Sequence, residues 1–238
     1  MRVAPFVFRH RFWMFAAVIF VGFSVAGVDH TPPAVRLARL LAADGRADDA
    51  TVRLVFWAGA LCVVAAAALR TWASAYLRAA VVHDAKVHAE ALVADGPYRR
   101  VRNPLYLGGL LIAVGFAPIA PVAGAVVIVG GVAAVVLALV RVEEAALAEA
   151  MPARFAAYRR AVPRLLPALA PRLPTGGARP AWPQAFAGEA FFWSFALGAA
   201  AFAATLDVRW VGACSLGGVA VQALVGRRAR GATGAVPG

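Results

Sequence analysis

The chain has few charged residues for its length. Of its 238 residues, only 15% are Asp, Glu, Lys or Arg, whereas about 25% is usual in a soluble domain. Hydrophobic residues make up 62%. A small soluble fold has too much surface to cover with so few charges. The composition therefore excludes a disordered chain, argues strongly against a soluble domain and predicts an integral membrane protein.

Cysteine is also scarce, and the two cysteines, Cys62 and Cys214, both lie inside apolar runs. A zinc site needs more ligands than these, and a disulfide framework needs more pairs. His83 and His88 are five residues apart, so they do not share a helix face as an i, i+4 metal-binding pair would. We therefore predict no metal site and interpret both cysteines as small buried hydrophobic residues.

Long apolar runs, by contrast, are abundant. A membrane-spanning helix needs about 20 mostly apolar residues. Pro118 and Pro121 interrupt the uncharged stretch 103–140 near its middle and predict a tight reversal between two helices there. The other runs are Phe12–Val28, Val52–Leu69 with its continuation Trp72–Val82, Phe186–Leu206 and Trp210–Val225. The chain is therefore predicted to be all-α, a polytopic membrane helical bundle of about six transmembrane helices, with five as the alternative count.

The remaining charges are strongly biased, with 24 Lys and Arg against 12 Asp and Glu. Such basicity is typical either of nucleic-acid binding or of a membrane protein's orientation signal. If the N-terminus is inside, 19 of the 24 basic residues fall on inner segments. This split follows the positive-inside rule, so we predict an inner-membrane protein with both termini cytoplasmic, membrane lipids as partners and no nucleic-acid partner.

The predicted spans divide one membrane domain, 1–238, into three parts. An N-terminal helical hairpin covers 1–69 and contains an outer loop, Asp29–Asp49. A core covers 70–165, and a C-terminal hairpin covers 185–226. Within the inner segment 141–184 we predict an amphipathic helix near 143–161, followed by an irregular proline-rich stretch.

Polar residues concentrate at two places in this apolar chain. One is the segment 95–108, and the other begins at Arg141 and includes the pair Glu143 and Glu144. Both are predicted at the cytoplasmic ends of the two helices that the Pro118–Pro121 turn joins. Since antiparallel neighbours place these ends side by side, the loop and the carboxylates are expected to meet.

The residue types at this meeting point can bind a charged ligand. Arg102 can bind a carboxylate or phosphate bidentately, and the start of the following helix offers backbone N–H groups to an anion. Tyr98 and Tyr106 can face a cation or an adenine ring. Glu143 and Glu144 can bind an ammonium group or ribose hydroxyls. S-adenosylmethionine carries all these groups, although each residue taken singly is also typical of an ordinary membrane boundary.

The segment also resembles a known family. The string Gly96-Pro97-Tyr98-Arg99-x-Val101-Arg102-Asn103-Pro104-x-Tyr106-x-Gly108 is similar to the signature of the isoprenylcysteine carboxyl methyltransferases. The wider superfamily includes phospholipid N-methyltransferases. The family's Glu-Glu pair and its later aromatic segment correspond to Glu143-Glu144 and Phe155-x-x-Tyr158-x-x-x-Val162-Pro163. The resemblance covers about residues 70–165.

This resemblance implies a membrane methyltransferase that uses S-adenosylmethionine on a lipophilic, isoprenoid or lipid-like, acceptor. It implies carboxyl methylation, with phospholipid or amine N-methylation as the alternative. Arg141 and Glu144 would be catalytic. The cofactor would be bound by Glu90, Leu92, Val93, Gly96, Tyr98, Arg102, Asn103, Pro104, Tyr106, Gly108, Glu143 and Glu144.

One departure from the family pattern concerns Asn103, which stands where the family has His. Asparagine can donate a hydrogen bond, but it cannot change charge near neutral pH as histidine can. A proton-carrying role at this position is therefore not expected in this chain.

Two other function classes fit a membrane protein of this composition. A related membrane reductase would act on lipophilic enones with a nicotinamide cofactor, although the sequence has no Gly-x-Gly-x-x-Gly motif on a strand–helix unit. A transporter would place ionisable groups near the membrane midplane, whereas the middles of these spans are nearly free of charge.

Overall fold

The computed structural model describes residues 3–25, 30–42, 45–83 and 92–233. Over these residues the chain forms α-helices and short 3₁₀ turns and contains no strand, so the all-α prediction is confirmed. The helices are α1 (Val3–Ser24), α2 (Pro33–Leu41), α3 (Asp49–His83), α4 (Pro104–Phe116), α5 (Val122–Ala150), α6 (Pro152–Ala161), α7 (Trp182–Thr205) and α8 (Arg209–Thr233). The 3₁₀ turns are Gly96–Arg99 and Ala117–Ile119.

Three of the described helices are long and apolar enough to cross a membrane: Asp49–Leu77 of α3, all of α5 and all of α7. Shorter apolar helices are Trp13–Ser24, Pro104–Ile119 and Arg209–Val225. Every predicted apolar run is thus helical where it is described. The number of crossings and the side of each terminus stay predictions.

The reversal predicted at Pro118 and Pro121 is present. A 3₁₀ turn, Ala117–Ile119, ends α4, and α5 begins directly after Pro121. Proline cannot donate a backbone hydrogen bond, which explains why the uncharged stretch divides here into two antiparallel helices.

Helix α3 lies at the centre of the bundle. It packs against α4 on one side and α7 on the other, while α5 packs against both α4 and α1. α7 packs against α8, and the main neighbour of α1 among the described helices is α5. The division into a core with two terminal hairpins stays a prediction. We call the end where α3 and α5 finish and α4 and α7 begin the site end of the bundle.

The connections differ from the predictions in two places. The outer loop contains α2, which begins at a proline in the first turn and buries Ala34 and Ala38 against α3 and α7. The single amphipathic helix over 143–161 is wrong, because α5 ends at Ala150 and α6 starts at Pro152. Proline is readily accommodated at the first position of a helix but not in its interior.

Close contact between α3 and α4 depends on two glycines. A Cβ atom at Gly59 would lie 2.5 Å from the carbonyl oxygen of Gly115, and one at Gly115 would lie 2.5 Å from Cγ2 of Val63. Small residues at such crossings allow helix backbones in membranes to approach closely.

We therefore expect Gly115→Ala to destabilise the bundle by about 1–3 kcal/mol, because the added methyl group overpacks this crossing. The midpoint of thermal unfolding in detergent measures the effect. Gly109→Ala is the matched control on the same helix, since no atom lies within 4 Å of its added Cβ. Equal midpoints for the two variants would contradict this account of the crossing.

Candidate functional site

The loop before α4 is shaped by a glycine with a positive φ. Gly96 has φ +58°, and a Cβ atom there would lie 2.3 Å from Cδ2 of the Tyr76 ring. Only glycine meets both requirements readily. Pro97 and Tyr98, in the 3₁₀ turn that Gly96 begins, are both buried.

The centre of the site is the carboxylate of Glu144, on the last part of α5. One oxygen, Oε1, accepts hydrogen bonds from Nε of Arg102 at 3.0 Å and Nδ2 of Asn103 at 3.1 Å. The other, Oε2, accepts from Nη2 and Nε of Arg164 at 2.7 and 3.1 Å. We call these four residues the Glu144 cluster. The predicted meeting of the loop and the carboxylates thus takes place at Glu144.

Burial is uneven within the cluster. The side chains of Arg102 and Glu144 are 8% and 7% exposed, whereas that of Arg164 is 41% exposed. A buried charge is tolerated only when it is paired and hydrogen-bonded. Arg102 and Glu144 are therefore the fixed part of the cluster, and Arg164 is the part that solvent reaches.

Arg102 also closes the end of α6. Its Nη1 donates to the carbonyl oxygens of Arg159 at 2.7 Å and Val162 at 2.8 Å. The last carbonyls of a helix have no partner within the helix. A guanidinium group with its fixed fork of donors can serve these carbonyls and Glu144 at the same time.

A tyrosine joins α6 to the glycine turn. The Tyr158 hydroxyl donates to the Tyr98 carbonyl at 2.8 Å, and the Tyr158 ring packs with Phe155 and Val162. Burial raises the pKa of the Tyr158 phenol well above its ordinary value, so the group remains a hydrogen-bond donor at physiological pH. The family-like aromatic segment therefore contacts the family-like turn directly.

The proline-rich segment, residues 163–181, is irregular as predicted, and it runs beside the loop before α4. Its backbone pairs with Arg102, Arg100 and Arg99 through Pro163, Ala168 and Arg172, at 2.9, 2.9 and 2.8 Å. At its far end the Ala181 N–H donates to the Ala75 carbonyl at 2.9 Å. The segment therefore covers the loop along most of its length.

Asp95 holds this covering segment in place through hydrogen bonds. Its carboxylate accepts hydrogen bonds from the backbone N–H groups of Gly176 at 2.7 Å and Ala178 at 3.0 Å, and from the Thr175 hydroxyl at 3.2 Å. Burial opposes ionisation here, but the three hydrogen bonds and the nearby Arg99 outweigh it and lower the pKa of Asp95 below its ordinary value.

The other predicted site residues occupy varied positions. Pro104 and Gly108 are buried in the first turns of α4, and Tyr106 packs against the core formed with α5. Glu143, Leu92 and Val93 are half-buried, whereas Arg141 is exposed. Glu90 lies outside the described residues. The structure thus brings Arg102, Asn103 and Glu144 into direct contact, and Tyr158 bonds to the backbone of Tyr98. Arg141 lies one turn before Glu144 on α5 and forms no hydrogen bond or ion pair with the described residues of the cluster.

Sequence reasoning did not select Arg164 or Asp95. Arg164 follows the Val-Pro of the aromatic segment directly, and Asp95 directly precedes Gly96. Adjacency to a motif is therefore the one signal that could have marked them. Their roles depend on contacts across 20 and about 80 residues of chain, which no local pattern reports.

A separate apolar groove of about 560 Å³ lies between α3 and α7. Its lining contains none of the residues predicted for the cofactor site. The lining residues are Ala68, Leu69, Thr71, Trp72, Trp182, Phe186 and Trp193.

Comparison with known proteins finds one matching protein family. Residues 54–154 match the model of the phospholipid methyltransferase family, a match that spans less than half of the chain. That segment contains Arg102, Asn103 and Glu144 and stops before Arg164. No curated protein and no solved structure matches significantly. The match supports a membrane methyltransferase, of a family related to the one that the motif resembles.

The lowered pKa of Asp95 predicts how the covering segment responds to acid. A carboxylate whose pKa is lowered by folding stabilises the fold above the usual Asp pKa of about 4, and this stabilisation is lost as the pH falls through the lower, folded-state value. Hydrogen-exchange protection at Gly176 and Ala178 should therefore be maintained from pH 6 down to about pH 4 and should fall as the pH is lowered further. In Asp95→Asn the protection should be weaker at pH 6 and change little on acidification.

Asp207→Asn is the matched control for this experiment. Among the described residues, Asp207 bonds with neighbours in the turn between α7 and α8, chiefly Arg209, so the variant should leave the two amides as protected as in the unmodified protein. Protection that does not change with pH in the unmodified protein would contradict the role given to Asp95.

Proposed function

We propose that the chain is an integral membrane methyltransferase that binds S-adenosylmethionine at the Glu144 cluster and methylates a lipid-like acceptor. The observation that carries this proposal is the convergence of Arg102, Asn103 and Glu144 on one buried point. These residues come from the two motifs that resemble the methyltransferase family, and they lie within the segment that matches the phospholipid methyltransferase model.

The charges in the cluster fit the amino-acid part of this cofactor. Oε1 of Glu144 is held by the buried Arg102 and by Asn103, which fixes the carboxylate. Oε2 faces Arg164, whose side chain is partly exposed. We infer that a ligand's ammonium group takes the place of Arg164 at Oε2 while the exposed Arg164 side chain turns to pair with the ligand's carboxylate, so that both charges of the ligand have an opposite partner.

The chain has a limited chemical task in such a reaction. S-adenosylmethionine supplies an electrophilic methyl group on a sulfonium when it is bound. The protein has to hold the acceptor in line with that group and exclude water, and it needs no nucleophile of its own. The buried turn at Pro97 and Tyr98 and the covering proline-rich segment provide a shielded, rigid surround for this purpose.

We propose how the other predicted site residues are arranged around the Glu144 cluster. Glu143 and Arg141 lie on the same end of α5, beside Glu144, and we assign them to the acceptor side. We place the site end at the cytoplasmic face of the inner membrane, because cytosolic cofactor and membrane-borne acceptor then arrive from different directions. The positive-inside distribution of Arg supports this orientation.

Two observations favour different acceptors. The matched family is described as phospholipid methyltransferase, which favours a lipid amine. Methylation of an amine first requires loss of a proton. Glu144 is engaged by four hydrogen bonds, and we propose the half-buried Glu143 beside it as the base. A carboxylate acceptor is already ionised and needs no base, so the same engagement of Glu144 favours carboxyl methylation as the second candidate.

The cofactor assignment predicts binding of S-adenosylhomocysteine, the demethylated product, to the purified protein in detergent. Calorimetry should give a Kd within the range of about 1 μM to 1 mM that is usual for enzyme ligands, and NADPH should not bind. Glu144→Gln should weaken binding about 10- to 100-fold, because it removes a charge-assisted hydrogen bond.

Asp207→Asn is the matched control, since it makes the same carboxylate-to-amide change at an acid outside the site end, in the turn between α7 and α8. It should bind S-adenosylhomocysteine as well as the unmodified protein. Glu144→Asp, which keeps the charge, should bind with an affinity between those of Glu144→Gln and the unmodified protein. Equal losses in Asp207→Asn and Glu144→Gln would show that the effect is not specific to Glu144 and would overturn the site assignment.

The acceptor classes can be separated by transfer of labelled methyl groups in lipid vesicles. With phosphatidylethanolamine the rate should rise with pH as the amine loses its proton, and Glu143→Gln should slow it about 100-fold, the usual size of a general-base contribution. With a prenylated cysteine carboxylate the rate should depend little on pH or on Glu143. Absence of transfer to either acceptor would contradict both candidates.

A further inference from the structure

A second buried ion pair joins α3 to α7. Nε of Arg70 lies 2.8 Å from Oε2 of Glu189, and the Ser74 hydroxyl donates to the other carboxylate oxygen. The side chains of Arg70 and Glu189 are 17% and 7% exposed. Both residues lie within helices long and apolar enough to span a membrane. Ionisable groups are expensive in such positions, so a pair retained there calls for a function.

Arg70 does more than pair with Glu189, because it also contacts the first turns of α4. Its Nη1 donates to the Leu105 carbonyl at 3.0 Å. A Cβ atom at Gly108 would lie 2.4 Å from Cγ of Arg70, so the glycine leaves the space that this side chain occupies. The Phe192 ring, with its centroid 3.7 Å from Cζ, covers the guanidinium group.

These contacts link Glu189 to the Glu144 cluster through a few residues. Leu105 is only two residues after Asn103, and Asn103 donates to Glu144 from the start of α4. A helix turn is rigid over this distance, so whatever fixes the Leu105 carbonyl also fixes the position of Asn103. The direction of the Arg70 guanidinium is in turn set by Glu189 and Phe192.

We propose that Arg70 and Glu189 are positioning residues of the Glu144 cluster, and that α7 therefore contributes to the geometry of the site. Glu189 orients Arg70, Arg70 holds the first turn of α4, and that turn aims Asn103 at Glu144. Glu189 and Phe192 lie beyond the segment that matches the family model. The inference rests on the proposed function, in which the Glu144 cluster binds S-adenosylmethionine.

A pair that served only to join two helices would not need these further contacts. The α3–α7 interface already has a hydrogen bond from Nε1 of Trp193 to the Thr71 hydroxyl at 3.0 Å. That bond lies one residue along α3 from Arg70, yet it makes no link to α4. The Arg70–Glu189 pair can therefore position α4, whereas the Trp193–Thr71 bond can only hold α7 against α3.

The test compares Glu189→Gln with Trp193→Phe. Glu189→Gln keeps the shape of the side chain and removes the charge that orients Arg70, whereas Trp193→Phe keeps the aromatic packing and removes only the bond to Thr71. We expect binding of S-adenosylhomocysteine, measured by calorimetry in detergent, to weaken about tenfold in Glu189→Gln and to stay close to the unmodified value in Trp193→Phe.

A second measurement does not depend on the cofactor. Hydrogen exchange without ligand should be faster in residues 105–109 of Glu189→Gln than in the unmodified protein, and unchanged there in Trp193→Phe. Glu189→Asp, which retains the charge, should restore part of both the binding and the protection. Should Glu189→Gln not fold, Phe192→Leu takes its place in both measurements, because it removes the ring that covers the Arg70 guanidinium.

The outcomes separate this inference from the function that it rests on. If the unmodified protein does not bind S-adenosylhomocysteine, the proposed function fails, and unchanged exchange in residues 105–109 of Glu189→Gln would overturn the link to α4 as well. If the unmodified protein binds and Glu189→Gln binds equally well, the positioning role is overturned while the proposed function stands. Equal losses in Glu189→Gln and Trp193→Phe would also overturn it, in favour of simple packing.

Discussion

The structure of the site end depends on one buried carboxylate, that of Glu144, having hydrogen-bond partners. Glu144 stands near the end of α5, buried, and a buried charge without partners would be strongly destabilising. Its partners come from the start of α4 and from the residue after the Val-Pro that follows α6. Because these donors are far apart in the chain, Glu144 can be satisfied only when α4, α5 and the end of α6 have assembled in one arrangement.

The irregular segment after α6 follows the same rule, that polar groups removed from water need hydrogen-bond partners. Five of its residues are prolines, and each proline removes a backbone donor that a helix or sheet would use. Three of its backbone groups pair with the backbone of residues 99–102, and the Asp95 carboxylate accepts from two backbone N–H groups near its far end. A backbone that cannot form regular structure is thus held against the loop by individually specified hydrogen bonds.

The sequence was sufficient to predict the helical class, the reversal at Pro118 and Pro121, and the meeting of Arg102 and Asn103 with Glu144. These features follow from apolar length, from the missing proline donor and from antiparallel packing. The sequence did not predict that Arg164 completes the cluster or that Glu189 pairs with Arg70. Such contacts depend on how an irregular segment and a distant hairpin fold back, and no period or spacing encodes that. The break at Pro152 follows from a local rule, since proline is excluded from a helix interior, although the helical pattern of residues 143–161 continues on both sides of it.

The central claim is that the Glu144 cluster is the cofactor site, and hydrogen-exchange mass spectrometry with S-adenosylhomocysteine tests it most directly. Saturating ligand should slow exchange in the segments 95–106, 143–147 and 158–165, which surround the cluster, while the α7–α8 turn near residue 207 should exchange as before. Slowing confined to other segments, or no slowing at concentrations at which binding is measured, would contradict the account.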